Sequence, residues 1–402
     1  MGSKKIKKMK IGLIFDGELQ VGGGFQYQKT MLKLIKKLED KYEFLVFTFS
    51  KENEEYSKTL GFKTRLIRRS ILEKIKSLVL RSEVFTYLSV KVNLISGFEK
   101  ELEKFDVDLV YFLQPSGLAL DLIKHNYIFT VWDLCHRDLP EFPEVSFHRE
   151  FERRELLYTK ALKKAVAVIA DSELGKQNLI RRYGVDPSRI YIIPFLPSLN
   201  ILKRNEINVR EKYQIKTAHY IYYPAQFWAH KNHVYIIDAL SILRSKGIYL
   251  TAVFSGSDQG NLNNVLEYAK KTGVYDLVRY IGFAPEDEIY SLYKNALAVV
   301  MPTFFGPTNI PPLEAFEIGV PVIYSDLTGL REQVGDAALL CDLKDPNSLA
   351  VHLENLINSN ELRQNLIEKG KRKLQEITSI NRMEILDKIF SDYEVKLRCW
   401  KI

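Results

Sequence analysis

A chain of 402 residues, 46% hydrophobic and 27% charged, is too long for one comfortable core and too apolar for a disordered protein, so two globular domains are expected. No apolar run nears the ~20 residues that cross a bilayer, and Cys135, Cys341 and Cys399 lie too far apart for a metal site or a disulfide frame, the usage of a reducing cytoplasm. The net charge of +8 suits an acidic partner, and with no nucleic-acid module alongside it the expected partners are anionic lipid and nucleotide phosphates.

The start, MGSKKIKKMK, is basic, but the apolar run 11–15 is too short for a signal core, and position 6 lacks the Ser or Thr of a myristoylation site. Lys10 to Phe15 reads as the first parallel strand. The loop after it ends in Gly22-Gly23-Gly24, and Met31, Leu34, Ile35 and Leu38 then recur at the spacing of one helix face. Glycines at a strand-to-helix turn let backbone approach a ligand closely, and they equally serve a plain tight turn. Phe44 to Phe49 is a second strand. The stretch 63–92 carries eight basic residues against two acidic ones, with Ile67, Ile71, Ile75 and Leu78 on one helical face. It reads either as a solvated helix or as a surface helix held against anionic lipid.

Leu109 to Leu113 and Ile128 to Trp132 are further strands. The second runs into TVWDLCHRDLPEFPE, residues 130–144, which leaves the Asp133 carboxylate at the C-terminal edge of the sheet, where open α/β folds bind ligands. His136, three residues on, is either a site residue or a structural hydrogen-bonder. His148 to Lys164 is helical and Ala165 to Ala170 is a buried strand. Ser172 caps the next helix and Gly184 stops it. Ile190 to Ile193 is one more strand, and the polar stretch from Pro194 to Lys212 reads as an interdomain linker.

Tyr220 to Tyr223 opens the second half. The run YPAQFWAHKNH follows, and Lys231 stands just ahead of a helix marked by Ile236, Ile237, Leu240 and Leu243. A lysine there can hold a diphosphate as a point charge. Leu250 to Phe254 is a strand ending in Ser255-Gly256-Ser257, and Val278 to Phe283 another. The buried run Ala298 to Met301 leads into PTFFGPTNIPPLEAFEIGVPVI, residues 302–323. That stretch is a Gly- and Pro-rich turn, a helix from near Pro312 to Gly319, and a strand over Val320 to Tyr324. A helix start after such a loop offers unpaired N–H groups and a positive dipole end, which suits a phosphate. Glu314, in the first turn, either caps the helix or accepts from a ribose diol. Ser348 to Leu374 and Arg382 to Leu397 are helical, and the strand–helix alternation marks doubly wound parallel sheets.

Residues 302–323 resemble the C-terminal signature of family 4 of the glycosyltransferases, retaining sugar-nucleotide enzymes of the GT-B fold. Glu314, Ala315, Gly319, Pro321 and Val322 match the second half of that signature. The first of its two glutamates is replaced by Gly306, and by position Thr308, Asn309 and Ile310 stand in, with backbone N–H groups toward the donor. The resemblance implies two Rossmann-like domains facing a central cleft: an acceptor-side domain over 1–198, joined by a returning helix over 380–402, and a nucleotide-sugar domain over 199–379. It implies that Gly23 and Gly24 lie near the donor phosphates and the acceptor. It also implies donor contacts from the loop at Gly256 and, through backbone at Phe283, with the base. Family members pair an Arg with the Lys on the donor phosphates. Gln226 occupies the Arg position and Lys231 the Lys position, so phosphate binding leans on Lys231 and main-chain amides. Trp132 stands where the family carries a His beside Asp133, and His136 is the candidate replacement.

The implied function is transfer of a hexose from GDP-mannose or a UDP-hexose to a glycan or lipid-linked glycan in surface polysaccharide synthesis. Lys231, Asp133 and His136 are the candidate catalytic residues. No Asp-x-Asp motif is read as holding a divalent ion on the phosphates, so no metal or cofactor is expected beyond the sugar nucleotide. The protein is expected in the cytoplasm, with a peripheral contact to anionic membrane through 63–92. A sugar-nucleotide epimerase or phosphorylase on the same fold would want paired acidic and basic groups around the sugar, and none stands out. The departures at Gly306, Gln226 and Trp132 keep open a carbohydrate-binding or scaffold protein whose catalytic half has decayed.

Overall fold

The computed structural model describes residues 8–17, 22–71, 73, 95–199, 201–202 and 207–401. The chain divides into two units: residues 1–134, 151–193 and 381–402 form the first, and residues 135–150 and 194–380 the second. The sequence-based boundary kept 135–150 with the first half.

The first unit is built on a seven-stranded sheet of order β3-β2-β1-β4-β5-β6-β7. Its strands are β1 Lys10–Ile14, β2 Glu43–Thr48, β3 Lys63–Leu66, β4 Leu109–Phe112, β5 Tyr127–Thr130, β6 Ala167–Ala170 and β7 Ile190–Ile192. Every pairing is parallel. A parallel sheet is covered on both faces, so its central strands read as unbroken apolar runs; YIFT of β5 and AVIA of β6 are buried at every position. The helices are α1 Gly23–Lys36, α2 Lys51–Thr59, α3 Gly97–Lys104, α4 Glu150–Lys164 and α5 Glu173–Tyr183. Helix α5 is capped by the Ser172 hydroxyl, which accepts from the Gly175 N–H, and it ends at Gly184 in the left-handed conformation (φ 63°). Helix α4 opens two residues later than the charge pattern suggests, because His148 and Arg149 both adopt positive φ.

The basic stretch 63–92 is corrected at its start. Lys63–Leu66 is the edge strand β3, not helix, and most of the remainder lies outside the described residues.

The second unit carries a six-stranded parallel sheet of order β10-β9-β8-β11-β12-β13. Its strands are β8 His219–Pro224, β9 Leu250–Ser255, β10 Val278–Tyr280, β11 Ala298–Met301, β12 Val322–Ser325 and β13 Leu339–Cys341. Helices α6 His233–Ser245, α7 Leu262–Lys271, α8 Glu286–Lys294, α9 Pro311–Ile318, α10 Thr328–Val334, α11 Pro346–Asn358 and α12 Asn360–Ser379 belong to it. One apolar core runs through the unit, centred on fully buried residues of β8, β9, β11 and β12. The last helix, α13 Arg382–Leu397, returns to the first unit, where Phe390 packs against Tyr42 and Phe44. Among the described residues no helix is long and apolar enough to cross a membrane.

Candidate functional site

In an open parallel sheet the crevice forms where the strand order turns back, outside the C-terminal ends of the two strands involved. In the second unit those strands are β8 and β11, which are neighbours although β9 and β10 intervene in sequence. The loop after β8 carries Gln226 and Lys231. The loop after β11 carries Gly306, Thr308 and Asn309. Lys231 Nζ donates to Asn309 Oδ1 at 3.3 Å and so bridges the two loops.

Lys231 ends a short turn, Ala229–Lys231, and Asn232 in the left-handed conformation (φ 55°) redirects the chain into α6. Its carbonyl accepts from the Tyr223 hydroxyl at 2.8 Å. His233, the first residue of α6, is buried with its ring stacked on Phe227 at 4.2 Å. Burial, and after it the Lys231 charge, pushes the His233 imidazole down to about 3, so it is neutral at physiological pH.

Gln226 offers its side chain to protein. Its Nε2 donates to Ser257 Oγ at 3.0 Å and its Oε1 accepts from Trp228 Nε1 at 3.0 Å. That ties the loop after β8 to the loop after β9, at the position where the family resemblance puts an Arg and this chain has Gln226. Gly256 stands where the same loops meet: at φ 149° it donates its N–H to the Gly282 carbonyl, and a Cβ there would collide with the Ala225 carbonyl. Phe283, beyond β10, is 57% exposed.

One expectation for the loop after β11 is corrected. The Asn309 N–H does not face a donor; it donates to Gln333 Oε1 at 3.0 Å, and the Asn309 carbonyl accepts from Gln333 Nε2 at 2.6 Å. The Asn309 side-chain amide donates to the Tyr324 hydroxyl at 2.6 Å, which leaves Oδ1 turned to Lys231. Ile310 is buried at the N-cap position just before α9, and Thr308 is half-buried nearby. Glu314 lies in the first turn of α9, but it does not cap the helix. Its carboxylate accepts from the Tyr293 hydroxyl at 2.5 Å and from the Ser198 hydroxyl. Burial raises the Glu314 carboxyl above its ordinary range, against the pull of those two hydrogen bonds.

The remaining candidates stand elsewhere. Gly23 and Gly24 form the first residues of α1, and Gly24 lies directly under the Trp132 ring, which a Cβ would strike. Asp133 pairs with Arg154 at 3.0 Å. The sheet of the first unit turns back between β1 and β4; there Ser116 Oγ donates to Asp16 Oδ2 at 2.8 Å and Gln28 Nε2 to Gln114 Oε1 at 3.0 Å. His136 is fully buried and falls in the second unit, whereas Asp133 belongs to the first.

An Asp-x-Asp does occur, at Asp106 and Asp108, contrary to the sequence reading. It precedes β4 and so lies at the opposite edge of the sheet from the ligand-binding ends. Asp108 accepts from the Lys10 N–H at 2.7 Å and pairs with Lys401 at 2.6 Å. Among the described residues no group of three or more His, Cys, Asp or Glu side chains is arranged to hold a metal ion.

One pair escaped the sequence reading. Glu144 and His230 meet across 86 residues of sequence, Glu144 Oε1 accepting from the His230 N–H at 2.9 Å and from His230 Nδ1. No local pattern marks such a contact.

Two family models match: one described as Glycosyltransferase Family 4 over residues 27–195, and one as Glycosyl transferases group 1 over residues 205–373. The chain is similar to O-antigen chain mannosyltransferase B of Escherichia coli, 25% identical over 250 residues, which cover 60% of this chain and 62% of that protein. It is also similar to D-inositol 3-phosphate glycosyltransferase of Paenarthrobacter aurescens, 26% identical over 229 residues, 54% of this chain and 55% of that one. The matched region thus spans less than two thirds of these relatives. Among solved structures, Anabaena Alr3699/HepE in complex with UDP superposes with a TM-score of 0.68 at 15% identity, over 95% of this chain and 100% of that one.

Proposed function

Because the chain belongs to family 4 of the glycosyltransferases and has the GT-B architecture, we propose that it moves a hexose from a nucleotide-diphosphate sugar to a hydroxyl of a glycan or lipid-linked glycan, with retention of anomeric configuration, in surface polysaccharide synthesis. GDP-mannose and UDP-hexoses are the donors that fit best. The names of the relatives support this, one a mannosyltransferase of an O-antigen chain and one a fold neighbour crystallised with UDP. The observation that carries it is the Lys231–Asn309 bridge at the point where the second sheet turns back. It puts a cation where a diphosphate would lie, and Asn309 Oδ1 is a partner a phosphate oxygen can displace.

In the reaction the bond from the anomeric carbon to the diphosphate oxygen breaks, and the acceptor oxygen bonds to that carbon on the same face. The acceptor's proton passes to the leaving phosphate. Negative charge grows on the diphosphate as it leaves, and Lys231 meets that charge without a metal ion. The one Asp-x-Asp is engaged by Lys10 and Lys401 at the far edge of its sheet, so transfer is expected to persist in EDTA. The protein would act in the cytoplasm against an anionic membrane, with the basic stretch 63–92 as the contact.

The test is thermal stabilisation by a panel of nucleoside diphosphates. Mass action gives about 2.7 kcal/mol at a hundredfold excess over the dissociation constant, so one base should raise the melting temperature well above the others. A flat panel, with no transfer from any nucleotide sugar, would refute the assignment.

A further inference from the structure

Lys231 is placed by its neighbour. His230, one residue earlier, is held from several sides. Its N–H and its Nδ1 both go to Glu144 Oε1. Its carbonyl accepts from the Phe304 N–H at 2.9 Å and from the Thr303 hydroxyl at 3.4 Å. Its ring stacks on Phe305 at 4.4 Å, and Phe142 meets it edge-on at 6.5 Å. The Glu144 and His230 side chains are 8% and 12% exposed, so the pair is shielded from water. Glu144 is itself fixed, because Phe142 packs on Phe304 and Phe305, and the neighbouring Val145 is buried in a small apolar cluster with Cys135 and Phe305. Burial pushes the Glu144 carboxyl up, yet the hydrogen bonds from His230 hold it below the usual range, so it is ionised at neutral pH. An ionised acceptor taking two N–H groups on one oxygen is a strong, directional hold.

We infer that Glu144 is a positioning residue for donor binding: through His230 it sets the turn at 229–231 and so fixes where the Lys231 ammonium stands opposite Asn309. This rests on the reading of Lys231 as the diphosphate cation. A carboxylate contributed by residues 135–150, remote in sequence from the donor motifs, is thereby part of the machinery that binds the diphosphate, although it need not touch the donor. The diphosphate, not the base, is the part of the donor whose binding depends on it.

That distinction supplies the test. Calorimetry on the full chain measures the affinity of the preferred nucleoside diphosphate and of the bare nucleoside, for wild type, Glu144→Ala, Glu144→Gln, Lys231→Ala and the Glu144→Ala/Lys231→Ala double variant. Glu144→Ala should weaken the diphosphate ~10-fold and leave the nucleoside unchanged. Glu144→Gln keeps an acceptor for the His230 N–H and should recover most of that loss. The double variant should bind the diphosphate no more weakly than Lys231→Ala alone, since the two act through one group. Equal losses for nucleoside and diphosphate, or full additivity in the double variant, would make Glu144 a structural residue only. A Lys231→Ala protein that binds the diphosphate like wild type would overturn the reading of Lys231 and this inference together. If Glu144→Ala does not fold, Glu144→Gln carries the same comparison with a ~3-fold diphosphate-specific loss expected, and a loss shared with the nucleoside counts against the inference.

Discussion

Lys231 and Glu314 sit at matching places, each near the start of a helix that follows a strand of the second sheet, yet their side chains do opposite things. Lys231 reaches across to Asn309, whose side-chain oxygen is a neutral acceptor that a phosphate oxygen of an arriving diphosphate can replace. Lys231→Ala should lower transfer ~10²–10³-fold, roughly 3–4 kcal/mol in the barrier, with the melting temperature of the unliganded protein unchanged; a radiolabelled transfer assay beside a thermal melt checks both. Glu314 turns inward to Tyr293 and Ser198. Because burial raises its carboxyl in the folded state, the unfolded chain ionises first as pH rises past about 4.5, the ordinary value. The stability this group contributes is therefore full below that pH and falls as pH climbs through the folded value. Glutamine cannot ionise. Glu314→Gln should gain stability relative to wild type as pH rises from ~4 to ~7, while weakened bonds to Tyr293 and Ser198 add an offset that does not vary with pH. Urea midpoints across that range measure it, and parallel curves would contradict it. The position of Glu314 in its helix was legible in the sequence. Its direction was not, because a first-turn residue points to solvent or core according to a rotation of one residue, and spacing leaves that phase open.

At the scale of elements, buried strands were the most legible feature. VVM of β11 and VIY of β12 are apolar without break, as a sheet covered on both faces demands. The edge strand β3 was misread because KTRL has no such run; its residues alternate between exposed and half-buried. Edge strands carry charge to discourage further pairing, so they hide their own signal. Loop-to-loop packing was also hidden, and Gly256 shows why. A glycine after a strand reads as room for a ligand, but here the missing Cβ makes room for the Ala225 carbonyl of the adjacent loop. Gly260 offers a control, since it too has positive φ (91°) but open space around it. Gly260→Ala should cost about 1 kcal/mol of backbone strain and ~2–4 °C of melting temperature. Gly256→Ala adds a backbone collision and should lose roughly twice that or more. Equal shifts in the two variants would mean the loops after β8 and β9 are not in contact.

For the whole molecule, the chain path matters more than either sheet. Neither unit is one continuous piece: the first needs 381–402 from the far end, and the second needs 135–150 from within the first half. Local periodicity identifies helices and strands but not which distant segment completes which core, so α13 was legible as a helix while Glu144 was not legible as a partner of His230. A fragment of residues 1–193 would lack Leu386, Ile389, Phe390 and Tyr393, all buried in the full chain. It would also lose the bonds that Lys41 and Tyr42 donate to Asp387 and the one that Tyr393 donates to the Asp108 carbonyl. At about 1.5–3 kcal/mol for each large apolar side chain buried, four of them match the entire ~5–15 kcal/mol that keeps a domain folded. The 1–193 fragment should therefore be insoluble when expressed alone and recover solubility when a peptide of residues 381–402 is supplied in trans. A fragment of residues 194–380 keeps its sheet and the core around β8, β9, β11 and β12 and should fold. Without 135–150, His230 loses Glu144, and Phe304 and Phe305 lose Phe142, so the fragment should bind nucleoside diphosphate more weakly than the full chain. If the 1–193 fragment is soluble and monomeric by sedimentation, α13 is an accessory to the first unit rather than part of its core.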